Sequence, residues 1–262
     1  MGSPLSPLIS WINGNPPVEG AWRALRSRWA VPLLIGLLAG ALYARQAAPS
    51  VGGGNSGEFQ VMAHLLGIAH PPSYPLYLLL AKGASLLPLP GDVAWRINLL
   101  TAVLGGVAVA LSGVLALLLT PGRGAPLAAA VCAVAVGAMP RLWTLAVEAE
   151  VFTLHLALVL AFWIALVRWR AAPPERRGRW LVLAGLLAGL GLANHRTFLF
   201  VAAGGALTVL LSPGRWPTPR QVLLTGALFL AGLTPYLYVV RGLLLPVAYF
   251  APTDVRRLTR GE

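Results

Sequence analysis

The chain has 262 residues, of which 57% are hydrophobic and 11% charged, and its mean hydropathy is +0.74. Soluble domains carry roughly a quarter charged residues, so this composition excludes an ordinary water-soluble domain and an intrinsically disordered chain. The net charge of +12 would suit nucleic acid, but beside long apolar blocks it indicates the cytoplasmic loops of a polytopic membrane protein. The single cysteine, Cys132, excludes a disulfide scaffold and a cysteine zinc site.

Seven apolar segments are the candidates for membrane-spanning helices. A helix needs about twenty residues to cross roughly 30 Å of hydrocarbon, so the shorter segments must extend into their flanks. Together they form one module, residues 29–241, between a cytoplasmic leader (1–28) and an external C-terminal segment (242–262). In chain order the segments are Trp29–Ala44, Ile97–Thr120, Pro126–Pro140, Val151–Val167, Trp180–Ala193, Phe198–Leu211 and Val222–Val240.

An eighth apolar stretch, Tyr74–Leu87, decides the topology. Arginine clusters precede the first span, follow the fourth and precede the seventh, and the positive-inside rule places all three in the cytoplasm. That is possible only if Tyr74–Leu87 does not cross, and its prolines and central Lys82-Gly83 favour a broken helix. We therefore predict an all-α polytopic membrane protein with about seven transmembrane helices. One long external loop, residues 45–95, would hold two short interfacial helices.

This topology gathers rare polar side chains at the external surface. Charged groups at the edge of apolar helices are costly and are usually functional or paired. The polar segment Gly52–Glu58 contains glycines followed by Asn55 and Ser56, which we expect to cap the helix that starts near Glu58. The segment is either part of a functional site or only a flexible loop with a helix cap. The residues that we expect to converge at this surface are Glu58, His70, Arg96, Glu150, His195 and Arg241.

A series of motifs resembles the membrane O-mannosyltransferase-like group of the GT-C glycosyltransferases. The resemblance runs from Trp29 to the C-terminus, and it implies a seven-helix module whose first external loop carries the catalytic acid and two interfacial helices. The motifs are N-S-G-E (55–58), G-I-A-H-P-P-S-Y-P-L-Y-L-L-L-A-K (67–82), A-W-R-I-N-L-L-T-A (94–102), E-V-F-T-L-H (150–155), L-A-N-H-R-T (192–197) and T-P-Y-L-Y-V-V-R (234–241).

The resemblance implies transfer of a sugar, mannose or another hexose, from a polyprenyl-phosphate donor to a protein or glycan acceptor. The reaction would take place at the outer face of a membrane, which we expect to be a bacterial plasma membrane, without a cofactor, metal or nucleic acid. Such transfer needs a base for the acceptor hydroxyl and cations for the departing phosphate. The implied catalytic residues are Glu58 as base, with Asn55 and His70; the implied phosphate ligands are Arg96, Arg241 and His195; the implied supporting residues are Ser56, Glu150, Asn194 and Lys82.

Several of these assignments have alternatives. Glu150 and His155 match a helix-start motif and fit either the site or a polar cap that anchors the helix. Lys82 fits either the donor or snorkelling to the surface. Asn98, inside an apolar helix, predicts an interhelical hydrogen bond. Asn55 stands where the group usually has aspartate, and an asparagine cannot accept a proton. Either Glu58 is the base, or the chain is a catalytically silent relative that binds lipid-linked sugar or a partner.

The C-terminal part of the sequence also departs from the group. The residues after Arg241 lack the acidic stretch that follows in other members, and the chain ends sooner than members usually do. We therefore expect a fragment or a split gene product. A transporter is a third alternative, but transporters show internal repeats and ionisable groups at mid-membrane, whereas the polar groups here collect at one surface.

Overall fold

The computed structural model describes residues 19–244, with side chains from residue 28 onward. Within that range the chain forms helices and no strand, which confirms the all-α prediction. Parts of the predicted leader and of the external C-terminal segment lie outside the described residues. The helices are α1 (Glu19–Gln46), α2 (Gly54–Leu65), α3 (Pro75–Ser85), α4 (Val93–Leu119), α5 (Ala125–Gly137), α6 (Pro140–Ala146), α7 (Phe152–Ala171), α8 (Pro174–Asn194), α9 (Phe198–Leu210), α10 (Pro219–Gly232) and α11 (Tyr236–Leu244).

Three helical segments are long and apolar enough to cross a membrane unbroken: Arg28–Gln46 within α1, α4 and α7. Two further pairs are bent, residues 122–137 with α6 by 63° and α10 with α11 by 47°, and counting each pair as one span gives up to five. Helix α9 is apolar but short, and α8 opens with the charged turn Glu175–Arg179. Each predicted span coincides with a helical region, and the number seven stays a prediction.

The long loop contains the two short helices that the sequence predicts, α2 and α3. Helix α3 has 11 residues and is therefore about 17 Å long, much shorter than the hydrocarbon core. The Tyr77 hydroxyl on α3 hydrogen-bonds the Thr101 hydroxyl on α4 at 2.8 Å, and both residues are fully buried. The loop helices are thus fastened to the start of α4.

Helix α4 lies at the centre of the bundle, where α1, α5 and α7 pack against it, while α8 packs between α7 and α10. A large hydrophobic cluster joins the loop helices to α7, α8 and α9, with Phe59, Tyr77 and Phe198 among its buried members. This packing sets α2 and α3 beside the junctions α6–α7 and α8–α9. Polar residues distant in sequence meet there.

Candidate active site

A buried hydrogen-bond network holds the first part of the loop. Gln60 on α2 accepts from the Gly52 amide at 3.0 Å and donates to Asn98 Oδ1 on α4 at 2.8 Å. Asn98 Nδ2 in turn donates to the Ala48 carbonyl at 2.8 Å. The predicted interhelical bond of Asn98 is thereby confirmed. Since Gln60 is 3% and Asn98 0% exposed, these bonds form where water does not compete.

The expected helix cap at Asn55 and Ser56 is wrong. Helix α2 begins at Gly54, and its N-cap, Gly53, makes no side-chain capping bond. Ser56 is buried, and its hydroxyl accepts from the Ala149 amide at 3.1 Å, which ties α2 to the α6–α7 junction. Asn55 is exposed. The glycines let the helix start one turn earlier than the capping pattern indicates, because Gly54 takes a left-handed φ of +56°.

Glu58 and His70 form the closest ionisable pair at the site. One carboxylate oxygen accepts from the His70 backbone amide at 2.6 Å, and the other contacts the ring Nδ1 at 2.8 Å. The two side chains are 33% and 36% exposed, respectively. The pair is therefore anchored but open to a ligand.

The turn after His70 brings Tyr74 over the pair. Ser73 and Tyr74 both have positive φ, 76° and 45°, which is uncommon for a bulky residue and is found at sites with a functional constraint. The Tyr74 hydroxyl lies 3.1 Å from His70 Nε2. Its ring centroid is 5.1 Å from that of His70 and 5.7 Å from that of His195. Tyr74 thus connects the loop to the α8–α9 junction.

That junction carries a second polar cluster. His195 Nδ1 hydrogen-bonds the Thr197 hydroxyl at 2.7 Å, and His155 Nε2 on α7 lies 3.3 Å from the same hydroxyl. Burial lowers the pKa of His195, and the neighbouring positive charge of Arg196 lowers it further. Burial raises the pKa of Tyr74, whereas the charge of Arg196 opposes that rise. Arg196 is exposed and is the cation that acts on Tyr74.

Glu150 faces the same space from the α6–α7 junction. Burial raises its pKa, Arg141 lowers it, and His70 contributes a smaller lowering. One of its carboxylate oxygens is buried without a hydrogen-bond partner among the described residues. Glu150 therefore lies within electrostatic reach of Arg141 and His70, and its role in the site stays a prediction.

Other predicted site residues lie apart from the Glu58–His70 pair. Arg96 donates to the carbonyls of Ser85 and Gly91 at 3.3 and 3.1 Å. These carbonyls lie at the end of α3 opposite to Tyr74, and α3 is about 17 Å long. Lys82 donates to the His64 carbonyl at 2.6 Å. The site therefore gathers Glu58, His70, Glu150 and His195, and does not gather Arg96 or Lys82.

Two further predicted site residues are Asn194, at the end of α8, and Arg241, on α11. Asn194 is buried and donates to the Val151 carbonyl at 3.2 Å, which joins α8 to α7. Arg241 lies exposed on α11, and within residues 28–244 its side chain makes no hydrogen bond. The Tyr238 hydroxyl, one turn earlier, donates to the Gly67 carbonyl. That contact brings α11 to the loop, and the place of Arg241 in the site stays a prediction.

Three residues that connect the two clusters, Tyr74, Arg196 and Thr197, are absent from the predicted site, and His155 was considered only with Glu150 as part of a helix-start motif. Each lies inside a quoted motif, so the signal was present. Their contacts could not be predicted, because they join residues that are far apart in the sequence, on α7, the α8–α9 junction and the loop. Within the described part of the chain, no three histidine, cysteine or acidic side chains lie close enough to hold a metal ion.

Comparison with known proteins finds similar chains. The family described as "Protein O-mannosyl-transferase TMEM260 N-terminal domain" matches residues 55–217. The mouse protein O-mannosyl-transferase TMEM260 is 32% identical over 234 residues, which cover 87% of this chain and 32% of the relative. The Dictyostelium discoideum protein O-mannosyl-transferase tmem260 is 28% identical over 211 residues, which cover 75% of this chain and 25% of the relative. No solved structure matches.

The matched region contains the Glu58–His70 pair, Tyr74, Glu150 and the His195–Thr197 cluster. The chain spans about a third of the length of the mouse relative and a quarter of the Dictyostelium one. The resemblance inferred from the motifs is confirmed: the chain belongs to the family of the protein O-mannosyl-transferase TMEM260 N-terminal domain.

Proposed function

We propose that this chain is the membrane module of a glycosyltransferase that moves mannose from a polyprenyl phosphate to a protein hydroxyl at the outer membrane face. The observation that carries the proposal is the open, anchored Glu58–His70 pair, which the Tyr74 ring joins to the imidazole of His195. Arg196 is the residue next to His195 in the chain. Relatives named protein O-mannosyl-transferases supply the reaction class.

The arrangement provides the two functions that such a transfer needs. A proton acceptor must lie next to the acceptor hydroxyl, and positive or hydrogen-bonding groups must stabilise the phosphate as it leaves. The Glu58–His70 pair serves the first. Arg196 and Arg241, with His195 and the Thr197 hydroxyl, serve the second, since guanidinium binds two phosphate oxygens at once.

An apolar groove supports a lipid-linked donor. It has a volume of about 460 Å³ and lies among α7, α8, α9 and α10. Its wall on α8 reaches Ala188, which is roughly 10 Å along the helix from His195. Isoprenoid units below a phosphate at His195 would enter this groove. Its lining includes Phe162, Leu166, Leu181, Ala188, Val209 and Phe229.

The direct test uses the purified full chain in liposomes that contain radiolabelled mannosyl-phosphoryl polyprenol, with serine- and threonine-rich peptides outside. We expect label to appear on peptide in step with release of polyprenyl phosphate. Donor binding without release would instead establish the catalytically silent alternative, to which Asn55 points. Failure to bind the donor would defeat both.

The donor site is tested by Arg241→Ala and Arg241→Lys. Losing a charge-assisted contact to phosphate costs about 1.5–3 kcal/mol, so the alanine variant should bind the donor roughly ten- to a hundred-fold more weakly. The lysine variant should restore only part of the donor affinity, because the point charge of an ammonium does not reproduce the planar fork of a guanidinium. Arg96→Ala is the comparison, and its main effect should be on the loop's stability, since its guanidinium is engaged by Ser85 and Gly91. Unchanged donor binding in Arg241→Ala would remove Arg241 from the site.

Orientation is tested by single cysteines in a background where Cys132 is replaced by alanine. Cysteines at Gly54 and Pro90 should both react with an impermeant reagent from outside, and one at Pro174 should be protected. The reason is that a non-spanning α3 keeps every arginine cluster on one side. Labelling of Gly54 together with protection of Pro90 would show that α3 crosses the membrane.

A further inference from the structure

We propose that Nε2 of His70, and not the carboxylate of Glu58, takes the proton from the acceptor hydroxyl, and that Glu58 is a positioning residue for this imidazole. The inference rests on the glycosyl transfer proposed above, and it changes the assignment of the base that the sequence suggested.

The hydrogen bonds of Glu58 show which ring nitrogen of His70 carries the proton. Both of its oxygens are engaged by His70, one by the backbone amide at 2.6 Å and the other by ring Nδ1 at 2.8 Å. An ionised carboxylate can only accept hydrogen bonds, so Nδ1 must carry the proton. A Glu58 that took a further proton would weaken the contacts that hold it. Glu58 is therefore arranged to fix a neighbouring ring.

The consequence for His70 follows from imidazole chemistry. In the neutral ring, a proton on Nδ1 leaves Nε2 as the acceptor. Nε2 lies 3.1 Å from the Tyr74 hydroxyl, which must then be the donor. This hydroxyl occupies the position that an acceptor serine or threonine hydroxyl would take. The His70 side chain is 36% exposed, which gives the acceptor access to it.

The ring is also held against rotation. Phe59 and Tyr74 flank it, with ring centroids 5.7 and 5.1 Å away. Phe59 is 1% and Tyr74 8% exposed, so both walls belong to the packed core. A carboxylate that fixes the tautomer and a packed pocket that fixes the plane are what a histidine base requires.

The step balances without a co-reactant. The acceptor oxygen attacks the anomeric carbon and its proton passes to Nε2. The bond from the anomeric carbon to the phosphate oxygen breaks, and its electron pair stays on the polyprenyl phosphate. The imidazolium, stabilised by Glu58, later returns the proton to water. Asn55 is exposed and has no part in this path.

The activity test compares four variants of the full chain with wild type. His70→Gln should lose transfer by at least about 100-fold, the contribution of a general base, while donor binding is unchanged. His64→Gln, at an exposed histidine of the same loop, is the matched control and should keep full activity. Millimolar imidazole should restore His70→Ala by at least about tenfold, and formate should not restore Glu58→Ala. A His70→Gln variant within about threefold of wild type, or formate rescue of Glu58→Ala, would return the role of base to Glu58.

A spectroscopic test separates this inference from the proposed function. With ¹⁵N-histidine, the His70 signal is assigned from its loss in His70→Gln and read at a pH of about 8, where imidazoles are neutral. We expect the proton on Nδ1 in wild type and a shift toward Nε2 in Glu58→Gln, because an amide can donate to Nδ1. Wild-type His70 with its proton on Nε2 would overturn the inference even if transfer is observed. The expected tautomer, together with no transfer from a bound donor, would support the geometry of the Glu58–His70 pair and contradict the proposed function.

Discussion

Two regions of this molecule hold helices together by different means. The loop region, residues 48–98, is fastened by hydrogen bonds between side chains, such as Gln60 to Asn98 and Tyr77 to Thr101. In the second region, helices α8 and α10 approach each other closely at glycines of α8, and backbone atoms of α10 lie against these glycines. A Cβ on Gly189 would lie 2.1 Å from the Phe229 carbonyl oxygen, and one on Gly185 would lie 2.5 Å from the Thr225 carbonyl oxygen.

The predicted membrane placement of the two regions accounts for the difference. In hydrocarbon there is no hydrophobic force between helices, so close van der Waals contact through small residues supplies the attraction. At the membrane surface the backbone leaves the helical pattern and its polar groups need partners. The same polar partners then aim side chains for chemistry. Gly189 lies five residues before Asn194, the last residue of α8, so this contact packs the end of α8 that carries His195 against α10.

Substitution at a glycine contact should have the largest effect. In Gly189→Ala the added methyl group would clash with the carbonyl oxygen of Phe229. Since a backbone oxygen cannot move aside as a flexible side chain can, α8 and α10 must separate. Overpacking of this kind costs about 3 kcal/mol at the upper end of the usual range. We expect a clear fall in the unfolding temperature in detergent. Gly226→Ala on α10 is the control, because a Cβ there meets nothing within 4 Å, and equal melting of the two variants would contradict the contact.

A break in the loop network should have a smaller and more local effect. Gln60→Ala leaves the Gly52 amide and Asn98 Oδ1 without their partner, at a cost of about 2 kcal/mol. We expect faster proteolysis and hydrogen exchange within residues 48–66, with the α8–α10 contact unaffected. Gln46→Ala is the matched control, since its bond to Trp143 is exposed. Uniform destabilisation of both regions would show that they do not act independently.

Composition and charge predicted more of the fold than of the site. Apolar blocks located the helices closely, and the prediction Phe198–Leu211 differs from α9 by one residue. The predicted span Val222–Val240 breaks at Pro235, and the predicted span Pro126–Pro140 ends at Pro140, where a second helix begins at an angle. Both prolines lack the amide that would continue the helical hydrogen bonds, and the helix pairs meet at 47° and 63°, respectively. Such breaks are visible as prolines, but their angles depend on packing.

The site was only partly predictable. Glu58 and His70 were both selected as polar residues in an apolar context, yet their spacing of twelve residues crosses a helix and a turn. No periodicity rule gives that contact. Tyr74 was missed because its backbone is left-handed, whereas a residue before proline is expected to be extended. Arg96 was selected as a phosphate ligand because the pattern could not show that its guanidinium already serves the α3–α4 turn.

The smallest effect concerns the charge balance at the edge of the loop region. Burial raises the pKa of Glu150 and the positive charge of Arg141 opposes that rise. In Arg141→Ala the opposing charge is gone, so the pKa of Glu150 should rise further and its protonated form should persist to higher pH. The measurement is the infrared band of protonated carboxyl groups during a pH titration, with the Glu150 component identified by its absence in Glu150→Gln. Arg123→Ala removes an equal charge from the exposed turn before α5 and should leave that component unchanged. A Glu150 band that responds alike to both substitutions, or that shifts to lower pH in Arg141→Ala, would show that Arg141 does not act on Glu150 directly. The pKa of Glu150 would then depend on the total charge of the surface and not on the nearest arginine.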